Sequence, residues 1–216
     1  MEVLDDSPTA LDEVPTGAPL APSNMGLLFT RPATFFSRNL DFEHTGSLLV
    51  AALVVGMART LERVSNDENG LFADATWPGF WAGLVLVGAI SGGFTFFVGG
   101  WWYRVRIGFA GDDNVDADEA RQIYTYITFV EALPAVAIIA LISPFYGSFG
   151  DYVASDQYAG LVVVPFFFLS CLASYQAVTT RFRVEKGKAL IWFLLLPVIV
   201  AGAALLLAIG VMQDLF

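Results

Sequence analysis

Residues 99–134 read GGWWYRVRIGFAGDDNVDADEARQIYTYITFVEALP, and the order of their side chains decides the fold. An apolar stretch ends at Trp101, Trp102 and Tyr103. Arg104 and Arg106 follow, then an acidic loop, then a second apolar stretch holding Glu131 and Pro134. Aromatic rings with one apolar and one wet end collect at membrane interfaces, and cations just beyond them mark the exit from hydrocarbon. The stretch therefore reads as the connection between two membrane-spanning helices.

Working outward, the rest of the chain has the same character. Hydrophobic residues make up 56% of the 216 and charged residues only 15%, where a soluble domain carries about a quarter. The mean hydropathy is +0.63. Apolar runs of about 20 residues suffice to cross a bilayer, and five are found, at about 46–64, 78–102, 121–142, 157–179 and 189–212. The predicted fold class is all-α, a polytopic membrane helix bundle of about five transmembrane helices spread over residues 25–216. The first run is the weakest, because its uncharged part stops at Arg59; Arg59 and Arg63 are read as snorkelling along their aliphatic stems to the interface.

The cations give a direction. With the N-terminus inside, the inside segments hold Arg31, Arg38, Arg104, Arg106, Arg121, Arg181, Arg183, Lys186 and Lys188, and the outside segments hold Arg59 and Arg63. That asymmetry predicts an inside N-terminus and an outside C-terminus. Arg104, Arg106, Arg121, Arg181, Arg183, Lys186 and Lys188 then form a candidate inside-face surface for a partner or for anionic lipid.

Residues 1–24 combine acidic residues with Pro8, Pro15, Pro19 and Pro22 and read as a disordered tail. They have neither a basic n-region nor an apolar h-region, so a cleaved signal peptide is not expected. Leu27, Leu28, Phe29, Phe35, Phe36, Leu40 and Phe42 are read as the apolar side of a short interfacial helix interrupted at Pro32. In the second run Gly79 and Gly83, then Gly88 and Gly92, have the four-residue spacing that lets helices pack closely.

Few residues invite chemistry. Glu131 is the one carboxylate well inside a run, and Pro134 three residues on frees the carbonyl of Val130. Together they form a candidate intramembrane polar site for a proton, ion or substrate. The plainer reading is a protonated or hydrogen-bonded Glu that fixes helix packing, since no second intramembrane charge is evident. Asp41, Glu43 and His44 offer three potential metal ligands, but a solvated cluster explains them as well with only one His in the chain. Asp112, Asn114 and Asp116 begin like a calcium loop that then fails at Ala117 and Ile123. Asp116 and Glu119 fit a capping box better. Ser170, Ser174 and Gln176 can bond between helices, and Cys171, the single cysteine, is read as a buried packing thiol. No P-loop, HExxH or dinucleotide fingerprint is present, so no enzyme, metal or cofactor is expected. The net charge of −10 argues against nucleic-acid binding.

Over about residues 27–210 the chain resembles the Ypt-interacting-protein (Yip) domain family in its divergent prokaryotic form. The resemblance is carried by RPATFFSRNL, by the glycine-rich run ending GGWWYRVRIGFAG, by EARQIYTYITFVEALPAV and by RFRVEKGKALIWFLLLPVIV. It implies five transmembrane helices with a cytoplasmic N-terminus. Eukaryotic members associate with prenylated small GTPases in trafficking, and their DLYGP-type and GY-x-x-x-S elements are not present here. The leading functional expectation is a non-enzymatic integral membrane protein that works by helix and partner association, with the lipid bilayer and a membrane-protein partner or second copy as its contacts. The alternatives are a small transporter or channel-like protein using Glu131, and a subunit of a larger membrane complex. A prokaryotic cell membrane is the expected location.

Overall fold

In the computed structural model, residues 17–38, 40–65, 72, 74–155 and 159–213 are described, and all regular structure among them is helical. Two short helices come first, α1 (Pro22–Thr30) and α2 (Pro32–Ser37), each with proline in its first turn, where the missing N–H costs nothing. Then follow α3 (Thr45–Val64) and α4 (Trp77–Phe94), which runs through a π-helical turn, Thr95–Gly99, into α5 (Gly100–Phe109). After the acidic loop come α6 (Ala117–Ile142), the short α7 (Phe149–Ala154) and α8 (Ala159–Arg181). Last is α9 (Lys186–Leu190), joined through a second π-helical turn, Ile191–Leu195, to α10 (Leu196–Gln213).

Among the described residues, four helices are long and apolar enough to cross a membrane: Trp77–Phe109, Ala117–Phe145, Val162–Arg181 and Lys186–Ala203. The described residues thus form an all-helical bundle with four membrane-length apolar helices. The predicted first run is a helix of 20 residues, α3, but it is not among these four. Its last two turns carry Arg59, Glu62 and Arg63.

Several boundaries move. The helix predicted to end at residue 102 continues to Phe109, so Arg104 and Arg106 sit on it rather than beyond it. The predicted tail reaches too far: α1 already contains Pro22 to Asn24, and residues 1–16 lie outside the described ones. The 27–42 segment is not a lipid-facing interfacial helix. Leu28, Phe35 and Phe36 are fully buried, and Phe35, Phe36, Phe42 and Tyr126 form one aromatic cluster with centroids 4.9–6.4 Å apart. Pro32 starts α2 instead of breaking a longer helix, and the Ala33 N–H donates to Gln176 Oε1 of α8 at 2.8 Å.

The tightest seam is between α3 and α4. A methyl placed on Gly56 would lie 1.9 Å from the Gly88 carbonyl oxygen and 2.3 Å from the Gly92 nitrogen. One on Gly92 would lie 2.2 Å from the Ala52 carbonyl oxygen. Gly88 packs on Met57 and Gly83 on the Phe72 ring, while Gly79 has only the Thr76 hydroxyl, at 3.5 Å. The predicted packing role thus falls on Gly83, Gly88 and Gly92; Gly79 takes no part in the seam, and Gly56 supplies the facing half.

The two ends of the bundle differ. At the basic end Gly111, at φ +110°, turns the chain out of α5. The Glu185 N–H donates to the Ala110 carbonyl at 2.9 Å, and the Arg183 N–H to Asp112 Oδ2 at 2.9 Å, tying the two connecting loops together. At the opposite end α7 folds back: Phe149 stacks on Phe80 with centroids 4.1 Å apart, and the Trp77 indole donates to the Tyr146 carbonyl at 2.7 Å.

Candidate functional site

Glu131 does not stand alone. Arg59 and Glu131 each lie 14 residues into their helices, a rise of about 21 Å. Arg59 Nη2 reaches Glu131 Oε1 at 2.7 Å, and its Nη1 holds Glu62 at 2.9 Å, so one guanidinium bridges two carboxylates. The second oxygen of Glu131 accepts from the Ser170 hydroxyl at 3.2 Å. Arg59, read from the sequence as snorkelling to the interface, instead turns into the bundle. Glu131 offers an ion pair there, and a cation at that depth gains more from a facing carboxylate than from a stretched path to water.

Two cavities meet at this centre. The larger, about 270 Å³, is bounded by Arg59, Glu62, Glu131 and the apolar side chains of Val55, Val163 and Phe167. The smaller, about 110 Å³, shares Arg59 and Glu131 and extends toward the basic end past Thr128, Ser170, Ser174, Tyr124 and Tyr103 to Arg106. The Tyr103 hydroxyl donates to the Ser174 carbonyl at 3.5 Å, and the buried thiol of Cys171 lines the same space. Pro134 borders neither cavity, and α6 runs unbroken through it to Ile142. The predicted polar site is therefore built from Glu131, Arg59 and Ser170, with Pro134 only a neighbour in sequence.

The basic-end cations are mostly committed within the chain. Arg104 Nε donates to the Val115 carbonyl at 2.9 Å. Arg106 donates to the Trp192 carbonyl and lies over the Phe193 ring, 4.4 Å from its centroid. Arg121 pairs with Asp118 at 2.6 Å and packs against Phe97 and Gly100. Arg181 pairs with Glu119 at 2.8 Å, and Lys188 with Glu185 at 2.8 Å. Arg183 and Lys186 are exposed.

His44 caps α3, its Nδ1 accepting from the Ser47 N–H at 3.2 Å, which accounts for one member of the Asp41–Glu43–His44 trio. Asp116 caps α6 by accepting from the Asp118 and Glu119 N–H groups. These two bonds stabilise the charged form and hold the Asp116 carboxyl below its ordinary pKa. Glu119 does not complete the capping box, because its carboxylate goes to Arg181.

Arg59 is the member of the centre that sequence reading missed. The signal was present as the first cation to interrupt the apolar run, four residues before Arg63 near its end. Compared with protein-family models, with curated proteins and with solved structures, the chain matches none.

Proposed function

We propose that this chain is a five-span, non-enzymatic integral membrane protein of the small-transporter or channel-like kind, which uses Glu131 to pass a proton or small ion between the two cavities. One observation carries the reading: the ion-paired Arg59 and Glu131, with Thr128 beside them, line both spaces. A buried pair used only for packing needs no cavity on either side. Here a proton arriving at Glu131 cancels its charge and leaves Arg59 to Glu62, and loss of the proton restores the bridge. The fifth span is α3, which depends on that bridge to keep Arg59 at depth. The charge distribution supports a cytoplasmic basic end and N-terminus. The Yip resemblance implies the same orientation in a prokaryotic membrane.

Partner association has less to rest on, since Arg121, Arg181 and Lys188 already pair with carboxylates within the chain. The test is flux in proteoliposomes under an imposed pH gradient, using the wild-type chain and Glu131→Gln. Wild-type flux that Glu131→Gln abolishes, in a variant that still unfolds cooperatively, is the expected result. No wild-type flux, or equal flux in both proteins, overturns the proposal.

A further inference from the structure

Arg106 has a second neighbourhood that the Glu131 centre does not use. On its other side lies an open groove of about 380 Å³ lined by Trp102, Phe167, Trp192, Leu196, Pro197 and Val200. Trp102, Leu196 and Val200 are exposed on its walls. Arg106 stands three residues before the end of α5, about 5 Å along the axis, at the depth of lipid head groups. From Trp192 to Val200 the groove runs eight residues, about 12 Å, toward the middle of the bundle. The guanidinium is anchored by the Trp192 carbonyl, in the second π-helical turn, and by the Phe193 ring face. Neither contact neutralises its charge, and no described carboxylate forms a salt bridge with it.

We infer that this groove binds one anionic phospholipid, its phosphate on Arg106 and one acyl chain along the α8–α10 wall. The charge at the mouth and the apolar track behind it match the two halves of such a molecule. A partner helix would have to place a carboxylate on Arg106 and cover the apolar track with separate side chains, whereas one phospholipid carries the phosphodiester and the acyl chain in that order. A zwitterionic lipid would bring its own cation against the guanidinium and lose most of the attraction.

The test is native mass spectrometry of the purified full-length protein in detergent with equimolar phosphatidylglycerol and phosphatidylcholine. The wild type retains one phosphatidylglycerol with roughly fivefold preference, the factor expected from one basic residue near an anionic head group. Arg106→Gln removes the preference, Arg106→Lys keeps most of it, and Arg31→Gln, exposed at the same end, leaves it unchanged. Val200→Trp fills the groove while keeping Arg106, and lowers retention of phosphatidylglycerol; this arm reads the site even where Arg106→Gln does not fold. Equal retention of the two lipids by the wild type overturns the inference. So does an equal loss in Arg31→Gln, which would mean diffuse charge attraction, or displacement by inorganic phosphate, which would mean a soluble-anion site.

Discussion

Gly56 and Arg59 are one turn apart on α3, yet they meet their neighbours in opposite ways. Gly56 touches the backbone of α4 with no space for a methyl, while Arg59 crosses to Glu131 between two cavities. The first contact works by shape, since small residues let backbones approach and dispersion acts over many atoms at once. The second works by charge and tolerates empty space around it. A polar centre with cavities on both sides needs a rigid wall to hold its geometry, and the glycine seam supplies one. The same helix can then carry a loose site on one face because its other face cannot move.

The largest effects are expected where that wall is breached. Gly56→Ala puts a methyl into the Gly88 carbonyl, and neither backbone can yield without opening the seam. A loss of about 3 kcal/mol follows, at the upper end of overpacking costs. Gly79→Ala, four residues before Gly83 in the first GxxxG pair, meets only a hydroxyl at 3.5 Å and should stay within about 0.5 kcal/mol of wild type. Unfolding in mixed micelles measures both. Equal penalties at the two glycines would erase the distinction between the seam and the rest of α4.

The charged face should respond less and in a coupled way. Arg59→Gln leaves Glu131 with only Ser170 in a largely apolar setting, at a cost of about 2 kcal/mol, toward the low side for a broken buried pair because Arg59 is a third exposed. The double change Arg59→Gln with Glu131→Gln removes both charges and should cost less than the sum of the singles by more than about 1 kcal/mol. Additive single and double penalties would show that the pair is incidental to the fold.

These two faces also divide what can be read from the sequence. The spacing of Gly88 and Gly92 and the apolar runs announce helices and a close seam, because periodicity records which face is buried. What faces the seam is written only faintly: Gly56 has Ala52 four residues before it, a small pair far weaker as a signal than two glycines. The Arg59–Glu131 pair joins residues 72 apart in sequence, and only the packing of α3 on α6 brings them level. Phe35 and Phe36 show the same limit in another form. Their composition fits an interface as well as a core, and the decision rests on α2 docking against α8 through Gln176.

The smallest effect lies where the chain enters α6, and it separates local capping from the deeper charge pair. Asp116 is almost fully exposed and stabilises the first turn through the N–H groups of Asp118 and Glu119. Asp116→Ala should cost about 1 kcal/mol. Its carboxyl is held below the ordinary value, so the unfolded chain takes up the proton first as pH falls. The contribution is therefore complete above the ordinary Asp range, about pH 4, and is lost as pH drops through the lower folded value. Asp116→Asn keeps an acceptor oxygen for the cap and should remove that acid-side dependence. Hydrogen exchange of the α6 first turn between about pH 3 and 6 reads the difference directly. An acid response that persists unchanged in Asp116→Asn would move the titrating group away from this cap.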